Sequence, residues 1–192
     1  RREWLLAALA ALGGCGGGVE SGGTGTGSAP PTLSVGPITG FGSIIVNGVR
    51  YDESSAAIED DDGRMLASAE LKLGMQATVL ASAINSSASG VSSATARAVA
   101  VRSSIVGPVE AIDLAAPQLT VLGQRVAVVA STVFDDALAM GMAALALADV
   151  IEVHGAYDAA AGRHVATRVE RRGAVPSSYK LRGAVASLSL AD

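Results

Sequence analysis

From Val35 onward the chain alternates apolar and polar positions with a period of two, which predicts half-buried β-strands rather than helices. The pattern is clearest in Gly36 to Tyr51, GPITGFGSIIVNGVRY. Ser43 to Val46 is a β-branched run, Asn47-Gly48 suits a two-residue type I′ turn whose residues both need positive φ, and Val49-Arg50-Tyr51 alternates again. This predicts a hairpin over 44–51. Gly40 and Gly42 on either side of Phe41 predict a bulge or sharp bend.

The polar stretch 52–69 contains Glu59-Asp60-Asp61-Asp62-Gly63, which reads as a solvated turn ahead of a short helical segment over 65–71. An EF-hand calcium loop with its glycine at Gly63 needs a ligand where Ile58 stands, so no metal is expected. An alternating strand follows over 75–81, with Met75, Ala77 and Val79 on one face, and another over 94–101. Then the pattern restarts. Gly107-Pro108-Val109 echoes Gly36-Pro37-Ile38, Leu119 to Val128 echoes the hairpin with its turn expected at Gly123-Gln124, and 150–155 and 164–170 answer the last two strands. The period is about 70–75 residues.

Each unit reads as three strands, a helical connection and two strands. In the second unit the connection is 135–147, DDALAMGMAALAL, with acids at its start where they suit a helix dipole. Five short strands with a helix between the third and fourth is the order of an OB-type barrel, and an open β-sandwich of the same strands is the alternative. The expected fold is all-β with a short helix per repeat: tandem OB-like small β-barrels behind a disordered N-terminal tether. The barrels are placed at 33–104 and 105–173. Residues 174–192 read as a linker and the start of a third unit at Leu181-Arg182-Gly183, which suggests a longer array.

The N-terminal residues break the pattern. Arg1-Arg2, an apolar run from Trp4 to Leu12, Gly13-Gly14 and the lone Cys15 have the layout of a secretory signal over 1–15, and they resemble the bacterial lipobox. That resemblance makes Cys15 the lipidated residue and, with Gly16 following it, points to the outer membrane rather than the inner one. The apolar run of about 9 residues is too short to cross a bilayer, which takes about 20 in a helix. Residues 16–32, GGGVESGGTGTGSAPPT, have no apolar periodicity and read as a flexible tether with a reach of roughly 20–25 Å.

Composition narrows the function. Of 192 residues 49% are apolar, enough for a core, but aromatics are only 3%, which leaves little for stacking on sugars or bases. A formal net charge of -4 gives no footprint for nucleic acid. The two histidines, His154 and His164, read as surface or strand residues with nothing beside them to orient catalysis. Gly40-Phe41-Gly42-Ser43 precedes a strand rather than a nucleophile elbow, zinc lacks clustered ligands, and phosphate, flavin, haem and nicotinamide signatures are missing. No catalytic residue, metal or cofactor is expected.

The GPITGFGSIIVNGVRY segment, the later L-x-x-G and V-x-V strand signals, the Gly-Pro-Val restart and the Gly-rich leader resemble bacterial lipoproteins catalogued only as carrying a domain of unknown function. The resemblance implies repeated small β-barrels on a lipid anchor and no reaction. The leading expectation is a non-enzymatic envelope lipoprotein whose barrels bind a partner, an envelope protein or a glycan, or span a distance. The alternative is a carbohydrate- or small-ligand-binding module, with Phe41, Tyr51 and Tyr157 as the stacking groups.

Overall fold

The computed structural model describes residues 30–87, 90–173 and 176–183. Cys15, the signal segment and most of the tether lie outside the described residues. The first part of the chain forms β1 (Thr32–Gly40), β2 (Ile44–Val46), β3 (Val49–Asp52), β4 (Ala57–Glu59), β5 (Gln76–Ala81), β6 (Asn85–Ser86) and β7 (Ser92–Val101). The second part forms β8 (Ile105–Asp113), β9 (Gln118–Val121), β10 (Gln124–Phe134), β11 (Val150–Asp158), β12 (Arg163–Arg171) and β13 (Lys180–Leu181).

The fold is all-β, with two closed five-stranded barrels. In the first, β3-β2-β1-β5-β7 lie side by side and β3 pairs with β7 in parallel to close the ring. In the second, β9 and β10 follow β8 as the next two strands, β12 pairs with β10 in parallel, and β11 joins β12 back to β8. The two rings have the same strand order. Each encloses its own apolar cluster, one built on Ile38, Ile44, Tyr51, Val79 and Val99, the other on Ile105, Leu119, Val126, Ile151 and Val169.

One local device is common to both rings. The hairpin β2–β3 turns at Asn47-Gly48, with φ of 52 and 76°, as the Asn-Gly pair requires. Its counterpart β9–β10 turns at Leu122-Gly123, with φ of 50 and 70°, one residue earlier than the Gly123-Gln124 turn expected from the sequence. Leucine seldom accepts a positive φ, which is why the sequence hides this turn. In each ring the first turn residue lies over a glycine of the first strand. A Cβ on Gly36 would fall 2.5 Å from Asn47 Oδ1, and one on Gly107 would fall 2.6 Å from Leu122 Cγ. The Gly-Pro restart thus marks the place where a hairpin tip presses on the first strand. The bend at Gly40 and Gly42 is also present, as a register shift between Ile38 and Gly40 and a turn after it.

The helix expected in each unit is not formed, and no helix of seven or more residues occurs among the described residues. Ser68–Glu70 is a single 3-10 turn, and 135–147 holds two, Asp136–Leu138 and Gly141–Ala144. Gly141, the first residue of the second turn, adopts φ of +62°, which interrupts any continuous helix. The apolar residues of 135–147 are still used, because Leu138, Met142 and Leu145 are buried in the second barrel's core. Leu71 and Ile58 join the first core from the corresponding stretch. Short strands β4 and β6, unmarked in the sequence, pair along β7.

Two substitutions separate steric contact from backbone strain. Gly107→Ala is expected to cost well over the ~1 kcal/mol of a typical point mutation, and most of that cost should vanish when Leu122→Ala is added. Gly48→Val should cost a similar amount, but no neighbouring truncation should relieve it, because nothing lies within 4 Å of its Cβ position. Urea unfolding of the single and double variants measures both.

Candidate binding cleft between the barrels

The last strand of the first barrel ends at Val101 and the first strand of the second begins at Ile105, so the barrels sit directly against each other. On β11 the alternation is intact: Ile151 and Val153 face the core. Glu152 and His154 occupy the alternate positions and point the other way. Yet all four are buried, because the outer face of this strand meets the first barrel instead of water. Arg168 on β12, paired with His154 across the ladder, is buried in the same way.

Bonds across this contact come from named groups. The Thr167 hydroxyl donates to Gly74 O at 2.6 Å, and the Arg168 guanidinium donates to Leu73 O at 3.1 Å. Gly74 has φ of +82°, and a Cβ there would lie 2.4 Å from Thr167 O, so only glycine permits the approach. His154 Nδ1 lies 3.0 Å from Arg102 O and 3.4 Å from the Gln76 amide, both in the first barrel's segment.

A cleft of about 920 Å³ runs along this joint. Its polar lining includes two ion pairs, Arg168 with Glu170 and Arg172 with Glu152. His154 Nε2 lies 3.5 Å from Glu152 Oε1 and has no hydrogen-bond partner among the described residues. Phe41, about half exposed, and Phe134 supply its aromatic borders. Each of these guanidiniums already faces a carboxylate, but the full lining holds eight Asp and Glu side chains against five Arg and Lys, so the cleft offers fixed donors and acceptors in a net acidic surround.

Near this cleft the acidic turn has a second task. Asp61, whose side chain is only 5% exposed, accepts from the Ser103 amide at 2.7 Å and hydroxyl at 2.9 Å, and it pairs with Lys180 and Arg182. Burial works against its charge, but the Ser103 bonds and the two cations outweigh it and hold the carboxyl below the usual range. Asp60 closes the turn itself, accepting from the amides of Asp62 and Arg64. The stretch is therefore a turn, as expected, but Asp61 is an anchored residue rather than a solvated one.

The residues singled out from the sequence do not converge. Phe41 lines the cleft. Tyr51 is sealed in the first core with its hydroxyl unbonded, so it cannot stack on a ligand from solvent. Tyr157 is about half exposed on β11, its ring edge-on to His164 at 5.1 Å, away from the cleft lining. Cys15 lies outside the described residues. The histidines read as surface or strand residues are both fully buried strand residues. Burial pushes the His164 imidazole below its ordinary 6.5, and its Nδ1 has no partner. Phe134 and the Glu152, Arg168, Glu170 and Arg172 set were not singled out. Val150-Ile151-Glu152-Val153-His154 carried the only signal, charged and titratable groups inside an apolar run.

Residues 106–170 match the family model of a domain of unknown function (DUF5666). No curated protein and no solved structure matches the chain.

Gly74→Ala should weaken the joint while leaving each barrel folded, seen as faster amide exchange at Gln76 and His154 with little change in the cores. His154 and Thr167 are on one barrel and Gly74 on the other, so uniform loss across the first core instead would contradict a joint-specific role. A separate test is the pH dependence of unfolding. His164 binds a proton more readily unfolded than folded, so stability is complete above pH 6.5 and falls as pH drops below that value toward its lower folded one. His164→Gln should flatten this window. The loss contributed by Asp61 comes lower, as pH falls from 3.8 through its depressed value. The second barrel, then, is similar to a domain of unknown function, and the first barrel has its strand order without the match.

Proposed function

We propose that the chain is a non-enzymatic envelope lipoprotein, anchored to the outer membrane through a lipid on Cys15, whose OB-type barrels form a rigid binding and spacer module. The buried polar joint carries this reading. A three-residue connection, a glycine that fits only in contact, and the bonds at Gly74, Leu73 and Arg102 favour one relative placement of the two barrels. Barrels joined by a slack linker would set no distance. The layout of residues 1–32 supports the anchor and tether.

The second reading is a carbohydrate- or small-ligand-binding module. The cleft favours it, with paired guanidinium and carboxylate groups beside Phe41 and Phe134. Tyr51 drops out of that reading and Tyr157 stands apart from the cleft, so any ligand would rest on Phe41 and Phe134.

Two measurements test the leading proposal. Cys15→Ala should move the expressed protein from the membrane pellet to the soluble fraction, and unchanged sedimentation would refute the anchor. In the same background, spin labels at Ser54→Cys and Ala160→Cys, both in exposed turns, should give one narrow distance distribution. A broad one would refute the rigid spacer. Binding on a glycan array that is lost in Phe41→Ala would favour the second reading.

A further inference from the structure

The two barrels treat the same strand edge differently. In the first, β5 covers one edge of β1 over Thr32 to Pro37, while β2 begins to pair on the other edge only at Ile38. On that second edge the Val35 carbonyl and the Ser34 hydroxyl are met by a side chain: Asn47 Nδ2 donates to Val35 O at 3.0 Å and to Ser34 Oγ at 3.1 Å. In the second barrel, β11 covers one edge of β8 over Ile105 to Pro108, and β9 pairs on the other only from Val109. The residue over the glycine here is Leu122, which has no amide to donate. The gap is filled instead by β13, with Lys180 opposite Val106, Leu181 opposite Ile105, and the Arg182 amide donating to Ser104 O at 2.8 Å.

The strand is also held by charge. A period of two puts Lys180 and Arg182 on one side of β13, and both reach Asp61 of the first barrel, at 3.3 and 2.8 Å. Leu181 points away and is half exposed. Asp61 is fixed from behind by Ser103, in the connection between the barrels.

We propose that the Ile105–Val106 edge together with Asp61 is a strand-acceptor site, built for a short antiparallel strand of basic-any-basic sequence and occupied by this chain's own Lys180-Leu181-Arg182. The backbone edge supplies affinity and Asp61 selects the basic spacing. Because Asp61 belongs to the first barrel and the edge to the second, the seated strand clasps the two barrels together. Asp61 and Lys180 also line the cleft, so the seated strand borders it, and the site does not depend on the lipid anchor.

The probe is a fluorescein-labelled peptide of residues 176–183, with the whole chain as receptor. The wild-type protein should not bind it, because its own strand fills the edge. Arg182→Pro, which removes the amide donor and one cation, should bind it saturably, and adding Asp61→Asn should weaken that binding at least about tenfold. Equal binding by wild type and Arg182→Pro, or none by a folded Arg182→Pro, overturns the site. Amide exchange reads the same clasp without that variant: the Arg182 amide should be protected in the wild type and lose at least about tenfold of its protection in Asp61→Asn. An Arg182 amide exchanging at the unstructured rate overturns the proposal, and so does protection that appears only as the chain dimerises, which would place a second copy's strand on the edge.

Discussion

The parallel pairing of the third strand with the fifth is the contact on which each barrel depends. Every other ladder in the rings is antiparallel, and most join neighbours in sequence that a turn can bring together. The pairings of β3 with β7 and β10 with β12 bring together strands separated by a whole intervening stretch, so their loop entropy is offset only when the rest of the ring is in place. Closure is also what leaves Ile44, Val46 and Tyr51, or Val121 and Val126, with no route to water. In the second ring the 3-10 turns between the third and fourth strands add Leu138, Met142 and Leu145 to the core. A continuous helix there would serve the same purpose, which is why the apolar residues persist without one.

The joint between the barrels follows a different logic. A strand whose two faces are both covered normally reads as an unbroken apolar run. β11 instead keeps Glu152 and His154 on its outer face, so polar groups are desolvated there and are matched by Arg172 and by the Arg102 carbonyl. Such pairs contribute little net stability against an apolar contact of equal size. Their geometric demands are strict, and a joint made this way tolerates few alternative dockings.

Much of the strand pattern was legible in the sequence because it rests on local signals. Asn47-Gly48 declares its turn, the Gly-Pro restart declares the second unit, and period-two alternation places most of the strands. The expected helix over 135–147 is absent: Ala, Leu and Met favour a helix by composition, but the chain breaks at Gly141 with positive φ and again at Leu145, which is extended. The Leu122 turn was displaced by one because leucine gives no hint of positive φ. The cleft was not legible at all. Alternation says that Glu152, His154 and Arg168 face away from their own core, but only the neighbouring barrel decides whether that outer face meets water. Tyr51 failed as a ligand group for the complementary reason: the sequence shows an aromatic on a strand but not which face closure turns inward.

Edge protection links these observations. An unpaired strand edge invites association with another chain, and a closed barrel still leaves one where its first strand overhangs the hairpin. The first barrel covers the overhang with the side chain of the residue that also makes its turn, so Asn47 supplies both the positive φ and the amide that caps Val35. Leu122 keeps the turn and the contact with Gly107 but loses the cap. The two barrels differ here at a hairpin tip, Asn47 in one and Leu122 in the other, and a strand lies along the overhang of the second. The acceptor edge lies within reach of Asp61 because Ser103 and Ser104, on either side of one peptide bond, bind that carboxylate and the incoming strand respectively. What holds the two barrels together and what extends the second one meet at the same short connection.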